Sequence, residues 1–84
     1  MELTLRALAN SNRLKLLREC KHGKSFTVSD AAEFLHMTES AASRHLQYLE
    51  RVGILKRTKR GLFVTYRLRL SGIPLWVKAL LKEL

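Results

Sequence analysis

The stretch Thr38-Glu39-Ser40-Ala41-Ala42-Ser43-Arg44-His45-Leu46-Gln47-Tyr48-Leu49-Glu50-Arg51-Val52-Gly53 decides how the rest of this chain is read. Ala42, Leu46 and Leu49 recur at helical spacing and form one apolar stripe that must be buried. Ser40, Ser43, Arg44, Gln47 and Arg51 fall on another side of the same helix. Small hydroxyls, an amide and guanidinium groups are the chemistry that hydrogen-bonds base edges and phosphates. Thr38 is placed to cap the helix and Gly53 to end it. A polar face of this kind is the ordinary surface of many helices, so its neighbours must decide whether it reads DNA.

On the N-terminal side, Thr27-Val28-Ser29-Asp30 has the outline of a capping box and opens a short helix through Ala31, Ala32 and Leu35. Only His36 and Met37 separate that helix from Thr38. Two short helices joined by so tight a turn predict a helix-turn-helix. Further upstream, Asn10 or Ser11 can cap a helix through Leu14, Leu16, Leu17 and Cys20 that runs out near His22 and Gly23. The leucines of residues 1–9 suggest a short helical arm before it.

After Gly53 the period changes from helical to alternating. Segments 54–59 and 62–69 are rich in β-branched and aromatic residues, with Arg60-Gly61 expected as the turn between them. Val64, Tyr66 and Leu68 alternate with Thr65, Arg67 and Arg69, so one face belongs to a core and the other to solvent. A hairpin in this place is the wing of a winged helix. The expected fold is mainly α with a β-hairpin, in the order α-α-α-α-β-β-α, forming a single winged-helix domain over residues 1–84. Pro74 suits the first turn of a last helix, which carries more apolar surface, including Trp76, Leu80 and Leu84, than a small domain can cover alone. Residues 1–9 and 74–84 are therefore expected to form dimerisation helices, with Leu3 and Leu5 joining the interface.

Charge sharpens the reading. The net charge is +9, and residues 51–84 carry nine basic side chains against one acid, whereas residues 1–50 carry seven against six. Such a local basic surface on a folded domain is what nucleic acid or an anionic membrane selects. Lys56, Arg57, Lys59 and Arg60 make the hairpin its most basic part. Cys20 is the only cysteine, which excludes an intrachain disulfide and favours a small buried hydrophobe. No apolar run approaches the roughly 18 to 20 residues that span a bilayer, and the expected location is the cytoplasm, at the nucleoid. The chain has no paired carboxylates, no nucleophile with a base in reach and no spaced histidines, so an enzyme is not expected.

The order of elements and the local sequence resemble the arsenic-repressor-like (ArsR-type) winged-helix transcription regulators. The similarity runs from about Leu8 to Leu68 and is most specific over Ser40-Ala-Ala-Ser-Arg-His-Leu-Gln-Tyr-Leu49, followed by Gly-Ile-Leu. The resemblance implies that Ser40, Ser43 and Arg44 contact bases and phosphates, with Thr38, His45 and Gln47 beside them, and that Lys59 and Arg60 occupy the wing tip. It also implies a symmetric dimer, most often a repressor, on double-stranded DNA. Metal-sensing members place cysteines where this chain has Thr27 and Ser29, so neither a metal nor another cofactor is expected. A non-specific architectural or replication-associated DNA binder, or a winged-helix module that binds protein, are the competing readings.

Overall fold

A computed structural model describes residues 10–69 and 75–82. Three helices come first: α1, Ser11–Lys21, α2, Val28–Leu35, and α3, Glu39–Arg51. They are followed by β1, Leu55–Arg60, β2, Phe63–Leu68, and α4, Leu75–Lys82. The winged helix-turn-helix expected from the sequence is present. The helix expected within residues 1–9 lies outside the described residues.

The first three helices begin where local chemistry starts them. Asn10 caps α1, its Oδ1 accepting from the amides of Asn12 and Arg13 at 2.9 and 3.2 Å. The capping box of α2 is complete. Thr27 Oγ1 accepts from the Asp30 amide at 3.0 Å, and the Asp30 carboxylate accepts from the Thr27 amide at 3.3 Å. Thr38 caps α3 by accepting from the Ala41 amide at 3.1 Å. Between α2 and α3 the chain reverses at His36, whose φ of 55° and ψ of 50° place a non-glycine residue in the left-handed region. That conformation costs about 1–2 kcal/mol for an L-residue. The Met37 amide, donating to the Ala32 carbonyl at 3.0 Å, holds the turn closed.

The three helices bury one core. Leu16, Leu17 and Cys20 of α1 meet Ala31, Ala32 and Leu35 of α2, the Ala42, Leu46 and Leu49 stripe of α3, and Phe26, Ile54, Leu55 and Tyr66. Burying each large aliphatic side chain here contributes about 1.5–3 kcal/mol. The alanines of α2 let α3 approach closely. Burial pushes the Cys20 thiol up to about 11, with Glu19 adding to the shift, so this cysteine is a protonated packing group.

The hairpin pairs Leu55 with Leu68 and runs in register to Arg60 opposite Phe63. Its two-residue loop is Gly61-Leu62, one position later than the expected Arg60-Gly61. The reason is conformational: Gly61 takes a φ of +59° and Leu62 does not share it, which suits glycine at the first central position of a II′ turn. Phe26, in the α1–α2 connection, joins the hairpin by a single bridge. Its amide donates to the Tyr66 carbonyl at 2.9 Å, and the Tyr66 amide donates back at 2.7 Å. Lys21 Nζ donates to the Lys82 carbonyl at 3.0 Å and ties α1 to the end of α4.

Of the expected dimer residues, Leu3, Leu5 and Leu84 lie outside the described residues, as do the side chains of Trp76 and Leu80. Among the described residues, no helix is long and apolar enough to cross a membrane.

Candidate nucleic-acid interface

α3 presents two surfaces besides its buried stripe. Ser40, Arg44, Gln47 and Arg51 are exposed and follow one another at intervals of three and four residues, so they share one face. Ser43 lies half-buried at its margin and accepts a hydrogen bond from Gln47 Nε2 at 2.9 Å. That bond fixes the amide while leaving its carbonyl oxygen and second N–H unspent. A glutamine held this way offers an acceptor beside a donor, the pair that matches N6 and N7 of adenine, and the exposed Arg44 offers the fork that matches guanine or phosphate. Thr38 stands at the N-terminal end of the helix, as its cap. Its oxygen is engaged as a cap acceptor, and its hydroxyl proton can still be donated.

His45 is not brought onto this face. At 100° per residue it lies about 140° around the helix from Ser40, on the flank toward α1. There the Arg13 side chain reaches it: Nε donates to His45 Nδ1 at 3.3 Å. The same guanidinium lies over the ring of Tyr48, 4.0 Å from its centroid. Burial, aided by the Arg13 charge, holds the His45 imidazole below its ordinary value. It is therefore neutral near pH 7, the form whose Nδ1 can accept from Arg13. His45, expected beside Ser40, Ser43 and Arg44, instead meets Arg13 of α1. Arg13 is the residue that sequence reasoning misses. Its position one turn into a capped helix is the available signal, but nothing local reveals a partner 32 residues away.

The four expected wing residues are divided between the two faces of the hairpin. Residues directly opposite in the ladder share a face. Arg57 and Lys59 therefore lie with Tyr66 and Val64, whereas Lys56 and Arg60 lie with Arg67 and Phe63. All four are exposed. Lys56 and Arg67 oppose one another directly, a like-charge pairing that weakens an isolated ladder and suits an anionic partner. At the base of the hairpin, Lys56, Arg57, Arg67 and Arg69 line a cleft of about 320 Å³ with Glu50, Leu55 and Leu68. The wing is thus basic on both sides and can track a phosphate backbone or straddle a groove edge. Its tip is different in kind, with Leu62 97% and Phe63 73% exposed. Among the described residues, no group of three or more histidine, cysteine, aspartate or glutamate side chains could hold a metal ion.

Known proteins are similar in sequence and fold. The sequence profile of a helix-turn-helix domain family matches residues 8–58. The arsenic resistance transcriptional regulator ArsR1 of Pseudomonas putida is 30% identical over 80 residues, which cover 95% of this chain and 62% of ArsR1. The chain thus spans less than two thirds of the length of this curated relative. Among solved structures, HlyU from Vibrio cholerae superposes with a TM-score of 0.78 at 30% identity, covering 96% of this chain and 83% of that one. The homodimeric winged helix-turn-helix DNA-binding domain of Mb0332 from Mycobacterium bovis, a possible ArsR-family regulator, gives 0.77 at 26% identity, covering 98% and 71%. With its capped turn between α2 and α3, its exposed polar face and its basic wing, the chain belongs to the helix-turn-helix domain family, in the ArsR-type winged form.

Proposed function

We propose that this chain is a sequence-specific, double-stranded DNA-binding regulator of transcription that works as a homodimer. α3 enters the major groove. Ser40, Ser43, Arg44 and Gln47 read base edges, Thr38 donates to the backbone at the head of the helix, and Lys56, Arg57, Lys59 and Arg60 hold phosphates from the wing. His45 acts at one remove, through Arg13. The observation that carries this reading is the exposed face of α3, where donors and acceptors are held by a rigid three-helix core. Readout of this kind needs positioned side chains and no metal, cofactor or chemical step.

Two-fold symmetry sets the two recognition helices about one DNA turn apart, roughly 34–36 Å, on a pseudo-palindromic site. The terminal segments, residues 1–9 and 74–84, supply the dimer contact. Repression follows from occupancy, since a bound dimer covers the duplex without needing to touch the transcription machinery. The place of action is the cytoplasm, at the nucleoid.

Selection of bound duplexes from a random pool tests specificity, symmetry and spacing together. The expected result is an enriched pair of inverted half-sites one turn apart. Tight binding without enrichment would leave a non-specific architectural binder. Absence of DNA binding would leave a module whose basic surface serves an acidic protein.

A further inference from the structure

We infer that the wing tip is an apolar wedge, with Leu62 and Phe63 entering the minor groove beside each half-site and opening a base step there. The inference rests on the DNA-binding reading above. Its starting point is that Leu62, the most exposed large hydrophobic side chain among the described residues, is followed directly by the exposed Phe63. The two make a contiguous apolar dipeptide at the end of a rigid ribbon. Neither residue stabilises the domain, because neither is buried. The turn does not require them either: it needs glycine at its first position, which Gly61 supplies, and accepts a small polar residue after it.

Their surroundings select the occupant. Phe63 lies opposite Arg60 on one face of the ribbon, and Lys59 stands on the other face, so cations flank the apolar tip on both sides. From residue 51 to residue 82 the sequence contains no aspartate or glutamate. A second copy of this tip would be repelled by the first. The minor groove, narrow and strongly negative, attracts an arginine at its edge and admits one apolar side chain between base pairs. The step opened at least cost is a flexible pyrimidine–purine step, TA or CA/TG. The wedge thus gives the protein a preference at positions that α3 never reaches. Sequence is read by hydrogen bonds in the major groove and by deformability beside it.

The test uses the full chain and a duplex recovered by selection, with 2-aminopurine in place of adenine at the flanking pyrimidine–purine step. Binding of the wild type should raise the fluorescence, which reports unstacking. Replacing the step by ApA should weaken binding on the order of tenfold. The double variant Leu62→Ser/Phe63→Ser should lose both effects while keeping its circular dichroism and the slope of log affinity against log salt, since every phosphate-binding cation is kept. Phe63→Leu, which keeps an apolar wedge, should retain most of the fluorescence change.

A wild-type complex without a fluorescence rise, or a double variant that behaves as the wild type, overturns the wedge. So does a selected site with no flexible step at its flanks. In these cases Arg44→Ala still tests the recognition helix separately, so the two readings fail by different measurements. Phe63-dependent partitioning onto phosphatidylserine vesicles, with unchanged fluorescence on DNA, would assign the tip to a membrane surface instead.

Discussion

Replacing Arg13 by methionine probes how the recognition helix is held. Methionine keeps most of the aliphatic length that packs between α1 and α3 and removes the guanidinium. The stack over Tyr48 at 4.0 Å and the hydrogen bond to His45 at 3.3 Å both disappear with it. A partly exposed cation–π interaction contributes about 0.5–1 kcal/mol, and a hydrogen bond as long as this one the lower part of the usual net range, about 0.5–1 kcal/mol. Together they predict a destabilisation of about 1–2 kcal/mol, or roughly 5–15 °C in the melting midpoint of a domain this small. Urea denaturation of Arg13→Met, Tyr48→Leu and the double variant would give the coupling between the two side chains directly. If the single effects add within about 0.3 kcal/mol, the two side chains are not coupled and the clamp is not what fixes α3.

The clamp also carries a pH signature. His45 titrates below its ordinary value of 6.5 in the folded chain, so under acidification the unfolded chain takes up the proton first. Its contribution is complete above pH 6.5 and fades as pH falls toward the folded-state value; thermal melts of the wild type and His45→Asn should therefore converge on acidification, and a constant gap between about pH 7 and 5 would contradict the assignment. Arg44→Ala should reduce discrimination between the selected site and random DNA by about 1–3 kcal/mol in a competition assay, and equal discrimination would exclude it from base readout. Neutralising Lys59 and Arg60 to glutamine should weaken binding to all sequences alike and reduce the salt slope by about 0.9 for each phosphate no longer neutralised; an unchanged slope rejects the phosphate-holding role of the wing. Leu46→Ala, at a fully buried position, should cost about 2–5 kcal/mol in urea denaturation, and a cost under about 1 kcal/mol would mean that the α3 stripe is not the core seam.

Much of the fold is legible in the amino-acid sequence, because helix caps and apolar stripes are local. Thr27 with Asp30, Thr38, and the Ala42, Leu46 and Leu49 spacing each specify their element within a turn or two. The wing is harder to read. β1 is Leu-Lys-Arg-Thr-Lys-Arg, polar after its first residue, so alternation cannot tell which side chains face which way. Only pairing with β2 divides Arg57 and Lys59 from Lys56 and Arg60. Composition places the turn one residue early, because it marks a glycine without revealing which turn position its φ will fill. The family resemblance groups His45 with Ser40, Ser43 and Arg44. Its actual partner comes from a different helix, and such long-range pairing has no signature in one chain read by itself.

The single bridge between Phe26 and Tyr66 has a consequence for how this wing can change. Because alternate residues of a strand point to opposite sides, the exchange of two hydrogen bonds at Tyr66 fixes the phase of the whole ribbon. A slip of one residue would turn Tyr66 outward and drive Arg67 toward the core. Phase is thus anchored at the Arg57–Tyr66 pair, three pairs back from the loop, and length is left free. Cross-strand pairs added or removed at the loop alter how far the wing reaches, while the core beneath keeps its packing. On the function proposed above, the reach of the wing along DNA can therefore vary independently of α3.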